Sequence, residues 1–160
     1  MCISTHDAEI HDIDRVIFSI GTNDIKYYRD HFGRPGDLCI FINPIEELIL
    51  LCRRYFGQSV KIYFQSVLPM RCLYTYTPAN FEGFNKMLSD ICKLNSNCYF
   101  IDWFKMFLNP LGNDIESALY WDNLHLNRFG NNMLHDLFED LLSNHFSSYN
   151  NCYTHMHVNL

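Results

Sequence analysis

The stretch VIFSIGTNDI, from Val16 to Ile25, decides the fold. Its first half is a continuous apolar and β-branched run that ends at Gly21, which is typical of a strand buried on both faces of a parallel sheet. The tetrapeptide Gly-Thr-Asn-Asp then places polar side chains at the carboxyl end of that strand, where parallel sheets bind their ligands. Considered alone, the same tetrapeptide is also a common turn composition.

The rest of the chain alternates strands with helices. Two further apolar runs predict strands at Val60–Val67 and Cys98–Ile101, and helical signals predict helices from Asn43, as the cap, to the stop at Gly57, at residues 79–94 and at residues 128–142. Such alternation implies right-handed βαβ units and a parallel sheet covered on both sides. The sequence therefore predicts an α/β fold.

Composition and charge exclude several classes of function. A chain of 160 residues with 48% apolar content predicts a single packed domain. The formal net charge of −6 and the lack of a Lys/Arg block argue against a nucleic-acid partner. Seven cysteines, mostly inside apolar runs, favour reduced thiols. The sequence shows neither a signal peptide nor a membrane span, so a cytoplasmic location is expected.

A second polar motif, WDNLHLN, places Asp122 three residues before His125. If the backbone makes one turn between them, the carboxylate can reach Nδ1 of the imidazole and fix its tautomer, which leaves Nε2 free as a general base. The alternative is an aspartate in a turn beside an unrelated histidine. Because Asn23 follows one strand and this pair follows the last βα unit, we expect both at the same rim of the sheet.

Gly-Thr-Asn-Asp and Asp-Asn-Leu-His-Leu together resemble two conserved blocks of the SGNH (GDSL-type) hydrolases, a family of esterases and lipases. The order, the separation and the strand–helix rhythm are similar from about Asp14 to Leu142. The resemblance implies a flavodoxin-like, three-layer α/β/α fold that lacks its first two strands. It makes residues 1–143 a partial domain of this family and residues 144–160 a polar tail.

The resemblance also implies roles for individual residues. Asn23 would donate to the oxyanion, His125 would be the general base and Asp122 its orienting acid. Gly21 and Thr22 would contact the substrate, a small ester, and no cofactor is implied. Loss of one oxyanion donor costs about 2.7–4 kcal/mol of transition-state stabilisation in other enzymes.

The nucleophilic serine of the family has no counterpart in this pattern. The family carries it in a Gly-Asp-Ser block ahead of the Asn block, where this chain has only about twenty residues. The near-match PGDLC has Leu38 in place of the serine and follows the Asn block. Ser4 has no strand-to-helix turn around it, and Ser19 is predicted to lie inside the first strand. We therefore expect a truncated relative with little or no esterase activity.

Two alternative functions stay open. One is a non-catalytic binding or assembly module on the same scaffold. Without the first two strands, the segment from Val16 to Ile20 would be an exposed apolar edge, which favours a homo-oligomer. The other is an enzyme that uses His125 as the base on a water molecule, without a covalent step.

Metal binding is not expected. His6 and His11 lie off a common helical face, and the tail histidines and cysteine at 152–157 have no second ligand cluster, whereas structural zinc normally takes four well-placed ligands. The aromatic loop from Leu73 to Tyr76 either lines an acyl pocket or covers the core.

Overall fold

The computed structural model describes residues 13–25, 38–70 and 78–143, without the side chains of residues 78–80. In chain order its main elements are β1 Arg15–Phe18, α1 Ile42–Phe56, β2 Lys61–Gln65, α2 Pro78–Leu94, β3 Cys98–Ile101 and α3 Arg128–Ser143. Short 3₁₀ helices lie at Leu38–Phe41, Phe104–Phe107 and Ser117–Leu119. The chain divides into two compact units, Met1–Glu116 and Ser117–Leu160.

The three strands form one parallel sheet in the order β1-β2-β3. The register is continuous, with Phe18 beside Phe64 and Phe64 beside Phe100. Because the strands follow each other in sequence and such crossovers are right-handed, α1 and α2 lie on the same face of the sheet, where they contact each other. The predicted α/β class with a parallel sheet is therefore confirmed.

β1 is less buried than its apolar run alone predicts, although an edge position is also what the sequence leads us to expect when the first two strands of the family are absent. The apolar run predicts burial on both faces, but all four residues of β1 are only half-buried. The strand buried on both faces is β2, where Ile62 and Phe64 are 0% exposed and Tyr63 is 1% exposed. The reason is position, since β2 lies between two strands and β1 lies at an edge of the sheet that the described strands form.

Ser19 is also placed differently. The sequence predicts it inside the first strand, but β1 ends at Phe18, and Ser19 is exposed just beyond that end. The chain turns at Gly21, whose φ of 105° ends the extended conformation. The strand is therefore shorter than the apolar run, and position inside a strand does not exclude Ser19 as a reactive hydroxyl.

The start of α1 corrects a third prediction. The helix begins at Ile42, and Phe41 is its N-cap residue without a side-chain hydrogen bond, so Asn43 is not the cap. The 3₁₀ helix before α1 runs directly into it and replaces a capped start. The predicted stop is confirmed, because Gly57 is the C-cap and its N–H donates to the Arg53 carbonyl at 3.1 Å. The ends of α2 and α3 agree with the prediction to within one residue.

Three buried thiols lie where the two helices meet the sheet. Cys52 of α1, Cys92 of α2 and Cys98 of β3 are free and buried. Burial raises the pKa of all three thiols, and that of Cys92 rises to about 12. Because the thiolate is the reactive form, these cysteines are inert parts of the core. Cys39 is free and exposed.

No helix in the described part of the chain has the length and apolar character needed to cross a lipid bilayer.

Candidate functional site

A tight turn in the second unit holds Asp122 and His125. Tyr120 and Leu126 pair as an antiparallel bridge at its two ends. Inside it, the N–H of Trp121 donates to the His125 carbonyl at 2.8 Å. The backbone therefore folds back over a few residues, which places the side chains of Asp122 and His125 next to each other.

Asp122 uses both of its carboxylate oxygens in this turn. Its Oδ1 accepts the N–H groups of Leu124 and His125, both at 2.7 Å. Its Oδ2 lies 2.9 Å from Nδ1 of His125. The hydrogen bond with the His125 side chain, followed by the two backbone N–H groups, holds the pKa of Asp122 well below its usual range.

This arrangement decides the tautomer of the histidine. An ionised carboxylate can only accept hydrogen bonds, so Nδ1 is the protonated nitrogen when the ring of His125 is neutral. The lone pair is then on Nε2. The His125 side chain is 71% exposed and that of Asp122 is 56% exposed, so the ion pair stabilises the fold little. The contact instead orients the His125 imidazole as a base that solvent can reach.

Asn127 is a positioning residue that the sequence analysis missed. Its Oδ1 accepts the N–H groups of Phe129 at 2.8 Å and Gly130 at 3.1 Å, which caps α3. Its Nδ2 donates to the carbonyls of Ala118 at 2.8 Å and Tyr120 at 3.4 Å. One side chain thus joins α3, the preceding 3₁₀ helix and the turn with the histidine. An asparagine directly before a helix is the available sequence signal.

The Gly-Thr-Asn-Asp motif follows β1 in the first unit. Residues 22–25 form one helical turn, and the N–H of Ile25 donates to the Gly21 carbonyl at 2.9 Å. Gly21 is buried, Thr22 is half-buried, and Asn23 and Asp24 are exposed. The side chain of Asn23 forms no hydrogen bond within the described ranges. Its amide is thus presented at the carboxyl end of β1.

The structure shows why residue 21 is a glycine. A Cβ at this position would lie 2.5 Å from Cε1 of Phe84 and 2.8 Å from Cγ2 of Val67. Its φ of 105° is also strained for any residue with a side chain. Only glycine lets the end of β1 approach α2 and the end of β2 so closely. The substrate contact that the sequence analysis assigns to Gly21 stays a prediction.

Buried polar side chains hold the end of β2 on both sides. Asn85 of α2 accepts the Val67 N–H at 2.8 Å and donates to the Val67 carbonyl at 3.0 Å. Ser66 accepts the N–H of Trp103 on its Oγ at 2.9 Å. The segments that follow β2 and β3 are therefore held by α2 and by each other.

The predicted site residues thus fall into two groups. The structure brings Asp122 and His125 together in the second unit, and Gly21, Thr22 and Asn23 lie together in the first. The expectation that both groups share one rim stays a prediction, as do their catalytic and binding roles.

Several other candidates lie outside the described residues. They are Ser4, His6, His11, residues 35–37 of the PGDLC segment, the loop at 73–76 and the tail at 152–157. Leu38 and Cys39 begin the first 3₁₀ helix. Among the residues that the structure describes, no group of three or more His, Cys, Asp or Glu side chains is placed to hold a metal ion.

Two bacterial proteins are among the solved structures that are similar to this chain. One is a Streptococcus pneumoniae protein provisionally described as a platelet activating factor, with a TM-score of 0.68 and 21% identity, matched over 81% of this chain and 59% of that one. The other is a Bacteroides fragilis protein provisionally described as an acylhydrolase, with a TM-score of 0.64 and 15% identity, matched over 81% of this chain and 61% of that one.

The chain therefore spans about three-fifths of the length of either structure. No family model matches the sequence, and no curated protein matches it. At these identities the likeness establishes the fold: this chain shares its α/β architecture with the two proteins described as an acylhydrolase and a platelet activating factor.

Proposed function

We propose that this chain carries part of an ester-hydrolase site of the SGNH type. His125 is the general base, Asp122 orients it, and Asn23 donates to the oxyanion. The observation that carries the proposal is the 2.9 Å contact between Oδ2 of Asp122 and Nδ1 of His125. The shared fold with a protein described as an acylhydrolase supports it.

The pair of Asp122 and His125, called the dyad below, is suited to acyl transfer from an ester. Nε2 of His125 takes the proton of a hydroxyl that attacks the ester carbonyl, and later returns it to the leaving alcohol. The imidazolium formed in between lies beside Asp122, which stays ionised because its pKa is held low. The amide of Asn23 would stabilise the negative oxygen of the tetrahedral intermediate, and Gly21 and Thr22 would border the substrate.

The sequence offers no serine at the position where the family carries its nucleophile. The 160-residue sequence contains no Gly-Asp-Ser block, and its near-match has Leu38 at the serine position. We propose that the chain by itself therefore has little or no serine-dependent esterase activity, since a triad without its nucleophile retains only weak catalysis. Ser19 is the hydroxyl to test, because it is exposed beyond the end of β1 and precedes Asn23.

A serine-reactive fluorophosphonate tests the assignment. We expect the wild-type chain to be labelled no more than the His125→Ala variant, with circular dichroism showing that both are folded. Labelling that disappears in Ser19→Ala would contradict the proposal and identify Ser19 as a nucleophile. Hydrolysis of 4-nitrophenyl acetate that depends on His125, without labelling, would indicate that water is the nucleophile.

A non-catalytic assembly module is the second candidate, and one observation favours it. β1 lies at the edge of the described sheet and pairs there with β2 alone. The outer side of an edge strand is a template for pairing with another strand.

A further inference from the structure

We propose that Trp121 binds the apolar group of the ester substrate, which is either its acyl chain or its alcohol. The inference rests on the ester-hydrolase site proposed above, because it assigns to Trp121 the part of the substrate beside the carbonyl group. The substrate class is then an ester with an extended or flat apolar group next to the bond that is cleaved.

The backbone of the turn places Trp121 opposite His125. Tyr120 and Leu126 face each other as an antiparallel bridge. The N–H of Trp121 donates to the His125 carbonyl at 2.8 Å, which extends this pairing by one residue on each side of the turn. Residues that face each other in an antiparallel pair have Cβ atoms about 4.5–5.5 Å apart. The side chains of Trp121 and His125 therefore start from neighbouring positions.

The exposure of the four side chains shows which way each pair points. Successive residues of an extended segment point their side chains to opposite faces. Tyr120 is buried and Leu126 is half-buried, whereas Trp121 is 80% exposed and the His125 side chain is 71% exposed. Trp121 and His125 therefore share the outer face of the turn, and a small ester can contact both side chains at once.

The position of the indole, and not its exposure alone, points to a ligand. Single exposed apolar side chains are common on protein surfaces. Trp121, however, lies directly beside a base that Asp122 orients through a contact of 2.9 Å. Binding sites for small molecules combine aromatic surface with a few well-placed polar groups. Tryptophan also offers a large and rigid contact surface at a low cost in conformational entropy.

Binding of unmodified esters to the full chain tests the proposal without requiring turnover. Methyl hexanoate and pentyl acetate are isomers that carry the same pentyl chain on opposite sides of the ester group, and methyl acetate is the short reference. ¹⁵N–¹H correlation spectra follow the indole N–H of Trp121 and the ring of His125. We expect both long esters, or one of them, to shift both signals. The isomer that binds more tightly identifies the acyl chain or the alcohol as the group that contacts Trp121.

The expected gain from the longer chain follows from partial burial of its methylene groups. A fully buried methylene group improves binding about fourfold, and one face of an indole buries only part of each group. We therefore expect the better long ester to bind at least about fivefold more tightly than methyl acetate. Long esters that bind no more tightly than methyl acetate, or that shift the signals of Trp121 without those of His125, would overturn the proposal.

Two variants of Trp121 and one control complete the test. Trp121→Ala should lose the preference for the long esters, and Trp121→Phe should keep most of it because it retains an aromatic ring. Leu142→Ala removes an exposed apolar side chain at the far end of α3, about 20 Å along the helix from its start, and should bind as wild type does. Equal affinity of wild type and Trp121→Ala for the long esters would refute the role of Trp121.

This inference and the proposed function can fail separately. A neutral His125 ring protonated on Nε2 would contradict the ester-hydrolase site, while binding that depends on Trp121 and on chain length would still support the role of Trp121. A ring protonated on Nδ1, together with binding that does not change in Trp121→Ala, would overturn this inference alone.

Discussion

Asp122 serves two purposes that depend on the same negative charge. Its Oδ1 closes the turn by accepting the backbone N–H groups of Leu124 and His125, and its Oδ2 holds the imidazole. Both interactions favour the ionised carboxyl group and therefore lower its pKa. The geometry of the turn and the tautomer of the histidine are thus set by one side chain.

The pKa of Asp122 should respond to removal of its histidine partner. In His125→Ala we expect this pKa to rise toward the ordinary value of about 3.9, because the largest cause of its low value is lost. It should stay somewhat below that value, since two backbone N–H groups still donate to Oδ1. An NMR titration of the Asp122 carboxyl carbon measures both values.

The sign of the linked stability follows from the direction of the shift. A folded-state pKa below the unfolded one stabilises the turn above the unfolded pKa, and this contribution is lost as the pH falls through the folded pKa. The loss begins near the unfolded-state pKa in both proteins, and we expect it to be smaller and to end at higher pH in His125→Ala than in wild type, because the gap between the two pKa values of Asp122 is narrower. Identical carboxyl titrations in the two proteins would contradict this assignment.

Gly21 and Gly57 allow the cost of backbone strain to be separated from the cost of overpacking. Gly57 has a similar φ of 93°, but a Cβ there meets nothing within 4 Å, whereas at Gly21 it meets Phe84 and Val67. We expect Gly57→Ala to lower the free energy of unfolding by about 1–3 kcal/mol from backbone strain. Gly21→Ala should cost about 1–3 kcal/mol more from overpacking. Urea unfolding of the two variants gives the difference, and equal costs would show that the close approach does not matter.

α3 depends on a side chain outside the helix itself. Asn127 caps its first turn and ties it to the turn with the dyad. Gly130, in the first turn of the helix, is so close to the Leu119 carbonyl that a Cβ would collide with it. The start of α3 and the turn that holds His125 are therefore fixed by the same contacts. Loss of the cap should also change the position of His125.

Asn127→Ala tests this coupling. We expect the free energy of unfolding to fall by about 1–2 kcal/mol, as for other side-chain caps. Asn127→Asp should lose less, because it keeps the acceptor for Phe129 and Gly130 and loses only the donor. Asn132→Ala, an exposed asparagine in the same helix, is the control and should change stability by less than about 0.5 kcal/mol. Equal effects at Asn127 and Asn132 would refute the capping role.

Much of the sheet and its helices could be predicted from the sequence. The apolar runs predict all three described strands, and helical spacing with the stop at Gly57 predicts α1, α2 and α3. These signals are local, because periodicity and glycine both act over a few residues. The contact between Asp122 and His125 is equally local, since it needs only one turn of backbone.

The features that escaped prediction depend on distant parts of the chain. The exposure of Ser19 depends on where the chain turns. Gly21 is required by Phe84 and Val67, which follow far along the sequence. The amide of Asn127 reaches back to Ala118, which helix-cap statistics do not show. Tertiary packing, not local propensity, decided each of these.

We propose that Asp122 holds His125 as the base of an ester-hydrolase type of site. Long-range ¹⁵N–¹H correlation spectra of the imidazole measure this most directly, with Asp122→Asn as the control. We predict that the neutral ring of the wild-type His125 carries its proton on Nδ1 and that this preference is lost in Asp122→Asn. A wild-type ring protonated on Nε2, or an unchanged tautomer in the variant, would contradict the account.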